Sequence, residues 1–133
     1  MIRAIIMLAA ALAIAPAAIA APDTDYPHRD WGQVATVDMS LIDATACVTR
    51  ELNRIGDATV IPAEGGNDVD WAMRGLFGVK QEPWLSFKLR EAQDATLLRV
   101  FYRKPMSKGK VDKEIRRQQR RCLKVRSIAP HSP

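Results

Sequence analysis

Apolar residues recur along the chain with different periods, and each period predicts an element. From Ala4 to Pro22 no charge interrupts a run of alanines set with Ile5, Ile6, Met7, Leu8, Leu12 and Ile14. Further on, Leu41, Ala44, Val48, Leu52 and Ile55 are spaced by three or four, which puts them on one face of a helix over about 39–55. Ser40 or Asp38 can cap its start and Gly56 can end it. The period then falls to two. Ala58-Thr59-Val60-Ile61 favours a strand and Glu64-Gly65-Gly66-Asn67-Asp68 is a turn cluster, so a hairpin is predicted. Val69, Trp71 and Met73 alternate with Asp70, Ala72 and Arg74, and Leu85, Phe87 and Leu89 alternate with Ser86, Lys88 and Arg90. In both strands the apolar set should face inward. Thr96 to Arg103 makes a fourth strand, with apolar residues on both parities and therefore no assigned inner face. After Pro105 and a loop at Ser107 to Gly109, Val111, Ile115, Gln118 and Cys122 return to helical spacing.

Helix, four strands, helix implies an α+β domain: a four-stranded antiparallel meander with both helices on one face of the sheet. Alternating strands suit a sheet with one covered side and one wet side. The predicted organisation is a signal peptide at 1–20, a leader arm at 21–37 that docks through Trp31, a single α+β domain at 38–126 and a tail at 127–133. Without its first twenty residues the 133-residue chain keeps 113, enough for one modest core and too few for a second domain.

Export is inferred from the first residues. Arg3 supplies a positive start, the apolar run follows, Pro16 breaks it, and Ala18-Ile19-Ala20 has the small residues that a signal peptidase accepts. A membrane anchor is the competing reading, since spanning takes roughly 18 apolar residues or more. Weakly apolar alanines, the internal proline and the well-placed cleavage site favour the signal. No cysteine follows closely enough to accept a lipid. A periplasmic or secreted location is expected, with no integral span after cleavage. There disulfides persist, so Cys47 and Cys122 are expected to pair and to join the first helix to the last.

Catalytic chemistry finds little purchase. His28 falls in the leader arm and His131 in the tail, no metal-ligand spacing occurs, and Gly75-x-x-Gly78 is too short to mark a phosphate loop. No catalytic residue, metal or cofactor is assigned. Glu64, Asp68 and Asp70 cluster around the Gly-Gly turn and carry the alternative function, a small carboxylate-dependent hydrolase or transferase; turn chemistry explains them more simply. Leu76, Phe77 and Val79 form an apolar loop that is expected to fold over the end of the core rather than to serve as a partner-binding tip.

Charge changes the picture most. Residues 103–126 hold eleven basic side chains against Asp112 and Glu114, while residues 21–102 hold eight basic and thirteen acidic ones. On the last helix Lys113, Arg116, Arg117, Arg120, Arg121 and Lys124 are the candidate cations, gathered largely opposite Val111, Ile115 and Cys122. Pairs four apart, such as Lys113 and Arg117, repel by a few tenths of a kcal/mol. Such a stripe is relieved by an anionic partner or by acidic residues of the protein's own body folded against it. Arg74, Lys88 and Arg90, with Arg99 and Arg103, make a possible additional basic face. The function this supports is a non-catalytic binding or accessory domain whose basic helix engages an anionic envelope polymer, a lipid headgroup or an acidic protein surface. A purely structural envelope protein is the remaining alternative. N-terminal sequencing of the exported protein should begin at Ala21; a retained Met1 in the membrane fraction would contradict export by this route.

Overall fold

The computed structural model describes residues 28–74 and 82–131. The expected signal peptide and the Gly75 to Val79 loop lie outside them. Within them the fold is α+β, with elements β1 (Arg29–Val37), α1 (Leu41–Asn53), β2 (Asp57–Ala63), β3 (Gly66–Ala72), β4 (Leu85–Ala92), β5 (Ala95–Tyr102), α2 (Lys108–Arg121) and β6 (Val125–Pro130). All the strands belong to one six-stranded sheet of order β2-β3-β4-β5-β1-β6, every neighbouring pair antiparallel.

The four strands expected from alternation are β2 to β5, and they lie side by side in chain order. The sheet is wider than expected because two segments assigned to a leader arm and a tail also pair. Residues Arg29–Val37 insert as β1 between β5 and β6. Their pairing shifts register between Asp30 and Val34, where Gly32 takes a left-handed φ of 80°, and polar Gln33 on the buried parity hides their period. Either side of that bulge, Trp31, Ala35 and Val37 are buried. Edge strand β6 shows no alternation because five of its six residues are exposed. Backbone bonds to β1 hold it, with His131 N donating to Gly32 O at 2.9 Å just beyond its end.

Local chemistry sets the ends of α1. Ser40 Oγ accepts from Asp43 N at 3.1 Å, so of the two caps the sequence offers, Ser40 and Asp38, it is Ser40 that serves. The helix stops at Asn53, two residues early, so Ile55 stands outside the apolar stripe and is exposed. At the turn that follows, a Cβ on Gly56 would meet Trp71 Nε1 at 2.5 Å and collide with Ala72 O. The same indole donates to Leu52 O at 3.0 Å and so satisfies a carbonyl of the last helical turn. Met73, expected inside, lies past the end of β3 and is exposed. On β5 the question of parity is settled: Thr96, Leu98 and Val100 face inward, and Leu97, Arg99 and Phe101 face out.

One core lies between the helices and the inner sheet face. Ala44, Val48 and Leu52 of α1 and Val111 and Ile115 of α2 meet Ala35, Val37, Val69, Trp71, Leu85, Phe87, Leu89, Leu98 and Val100. The contribution of α2 is small, two apolar side chains worth roughly 1.5 to 3 kcal/mol each. Two ties supplement it. Trp31 Nε1 donates to Asp112 Oδ1 at 2.7 Å, joining β1 to α2. Cys47 and Cys122 form the expected disulfide, with Cα atoms 5.8 Å apart and 75 residues apart in sequence. A loop of that length corresponds to about 4 to 5 kcal/mol of chain entropy, an upper figure because unfolded chains retain structure.

Candidate functional site

The site is built outward from a carboxylate that the sequence did not single out. Glu51 lies one turn after Cys47 on the buried face of α1 and is only 1% exposed. An ionised group there is costly unless it is paired. Arg121 Nε contacts Glu51 Oε1, Arg117 Nη1 reaches the same oxygen at 3.3 Å, and Arg54 Nε reaches Oε2 at 3.2 Å. Arg117 Nη2 also donates to Glu51 O at 2.8 Å, a second bond to a carbonyl that accepts from Arg54 N at the end of α1. Glu114 completes the cluster: it accepts from Arg117 at 2.6 and 3.0 Å and from Gln118 Nε2 at 2.9 Å. Burial by itself would raise the pKa of Glu51, but the positive charges of Arg121, Arg54 and Arg117 outweigh it and hold the carboxyl below its ordinary value. The hydrogen bond to Glu114 pushes Arg117 further up.

This clasp divides the cations predicted on the last helix. Arg117 and Arg121 turn toward α1 and are occupied by the protein's own carboxylates. Lys113, Arg116, Arg120 and Lys124 are exposed, and none of the four has an ion-pair partner among the described residues. The helix cannot neutralise them itself, because Asp112 accepts from Trp31 and Glu114 is held by Arg117 and Gln118. Lys113, Arg116 and Arg120 border a groove of about 510 Å³ beside α2, with Ile55, Trp71, Leu85 and Met106 as its apolar part. Across Met106 a second basic recess of about 520 Å³ is lined by Arg29, Lys104 and Lys108.

The additional basic face does not join this one. Lys88, Arg90 and Arg99 lie on the outer side of the sheet, away from the helices, and carboxylates meet them there. Asp68 receives Arg90 at 2.8 Å and Lys88 at 3.3 Å, and Asp30 receives Arg99 at 2.8 Å. Lys88 and Arg99 also flank the Phe101 ring, at 5.6 and 5.1 Å from its centre. Arg74 pairs with Asp57 at 3.3 Å and Arg103 with Glu82 at 2.7 Å.

Of the clustered acids, Glu64 is exposed in the β2–β3 turn. Asp68 and Asp70 line a smaller pocket of about 210 Å³ on the outer face with His28, Ser86, Lys88 and Phe101. They stand side by side on one strand rather than across a gap, Asp68 is engaged by two cations, and Asp70 accepts from Ser86 Oγ at 2.7 Å. His28 Nε2 lies 3.1 Å from Pro83 O. Among the described residues no three His, Cys, Asp or Glu side chains are grouped to hold a metal, and no helix is long and apolar enough to cross a membrane. No family model, curated protein or solved structure matches the chain.

Sequence reasoning missed Glu51 as the organising group, though a signal was present. It falls within the α1 stripe, beside Leu52 and four residues after Cys47, where an acid demands a partner. Because its pKa is lowered on folding, its stabilisation is present above the unfolded value and is lost as pH falls through the folded one. Glu51→Gln should therefore cost about 2 kcal/mol at neutral pH. That is less than the 3 to 5 kcal/mol of a fully buried pair, because the guanidiniums keep a quarter to a half of their surface in water. Denaturant melts from pH 7 to 3 should show the variant and the native protein converging below about pH 4.5. A gap that stays constant across this range would contradict the role given to Glu51.

Proposed function

We propose that the protein is a small exported, non-catalytic binding or accessory domain whose outward α2 face engages an anionic partner in the periplasm or outside the cell. The observation that carries this is the division of the helix. Lys113, Arg116 and Arg120 stand together with no ion-pair partner among the described residues, while Glu114, the carboxylate that lines their groove, is held by Arg117 and Gln118. Repulsion along such a row falls when an anion binds, so the protein's own stability favours occupancy. Two basic recesses flanking Met106 extend the field beyond one helical face, which suits an extended or multiply charged partner. The Ala4 to Pro22 run and the Cys47–Cys122 bridge support export.

Inorganic polyphosphate is a suitable probe. Binding measured by titration calorimetry should weaken steeply between 0.1 and 1 M salt, as the Debye length falls from about 10 Å to about 3 Å. The double variant Arg116→Glu/Arg120→Glu should lose at least about 30-fold in affinity, from two cations at roughly 1 kcal/mol each. Its melting temperature should hold, because neither side chain is part of the clasp. Binding that survives both 1 M salt and the double reversal would show that the α2 face is only solvated surface.

A further inference from the structure

The groove beside α2 is more specific than a positive surface. Its basic side holds Lys113, Arg116 and Arg120, with Glu114 there neutralised by Arg117, and its apolar side is made by Ile55, Met106 and the buried pair Trp71 and Leu85. We infer that this groove binds a free, single-chain anionic amphiphile, with the acyl chain along Ile55 and Met106 and the acidic headgroup among Lys113, Arg116 and Arg120. The inference rests on the anion-binding role proposed for α2 and narrows it.

Charge complementarity selects the headgroup, and the absence of backbone partners selects the chain. The groove is walled by a helix and by β3 and β4, which are both interior strands of the sheet. Their backbone groups are engaged within the fold, so a bound peptide would find no ladder for its own N–H and C=O groups. An acyl chain has none to satisfy. A nucleic acid would lack a stacking platform, because the one aromatic ring lining the groove, Trp71, is 4% exposed. At about 510 Å³ the groove is of the size that takes a small ligand.

The test titrates the exported, disulfide-bonded protein with saturated alkyl carboxylates of increasing length, kept below micelle formation, and with alcohols of the same lengths. Affinity for the carboxylates should rise by up to about fourfold per methylene buried. Arg116→Glu/Arg120→Glu should weaken the carboxylates and leave the alcohols unchanged. Ile55→Asp and Met106→Asp should abolish the length dependence, while Ile42→Asp, at a highly exposed apolar residue on α1, should leave it intact. Binding that ignores chain length, or is equal for alcohol and carboxylate, overturns the inference. So does binding confined to phosphatidylglycerol vesicles and indifferent to Ile55→Asp. If polyphosphate still binds in those cases, the anion-binding role of α2 stands and only the amphiphile falls. If neither polyphosphate nor carboxylate binds, both fall.

Discussion

A single carboxylate, buried between two helices, constrains this protein more than any other group. Glu51 sits on the face of α1 that the core covers, and the arginines next to it in sequence, Arg50 and Arg54, pair with its Oε2 alone. Its Oε1 is met from α2, by Arg117 and Arg121. This fixes the rotation of α2 about its own axis. With Arg117 and Arg121 turned toward α1, Val111, Ile115 and Gln118 face the core, and Cys122, one turn after Gln118, comes within disulfide reach of Cys47. Disulfide and clasp thus lie one turn apart on α1, and Cys122 directly follows Arg121 at the end of α2. They anchor an element whose apolar stripe is thin.

The same rotation determines what is left over for function. Turning two arginines inward leaves Lys113, Arg116, Arg120 and Lys124 outward with no ion-pair partner among the described residues. A basic segment that looked uniform in sequence is therefore two sets with different work, one holding the fold and the other open to an anion. The outer sheet face follows the opposite logic, because Asp68 and Asp30 already answer Lys88, Arg90 and Arg99. Strong local charge there is balanced locally and exerts little field at a distance.

The elements legible in the sequence were those whose period was unbroken. Both helices, the four strands β2 to β5 and a choice of N-cap between Ser40 and Asp38 follow from spacing and capping chemistry. β1 was obscured because polar Gln33 falls on the same parity as buried Trp31, Ala35 and Val37, and β6 because an exposed edge strand has no inner face to pattern. At the site, spacing groups Arg117 with Lys113, Arg116, Arg120 and Lys124 opposite the apolar side, whereas the structure turns Arg117 toward α1; spacing could not show which cations the body would claim. That depends on Glu51, 66 residues from Arg117 along the chain. The sequence distance hides the pair, and only the packing of α1 on the sheet brings it together.

The partition of the arginines can be measured directly with a double-mutant cycle in denaturant unfolding. Glu51→Gln is combined in turn with Arg121→Gln and with Arg120→Gln, neighbouring residues on one helix that differ in whether they reach Glu51. Coupling with Arg121 should be about 1 kcal/mol or more, and coupling with Arg120 should lie within about 0.3 kcal/mol of zero. Equal coupling for the two arginines, or none for Arg121, would contradict the division of α2 into a clasp and a free face.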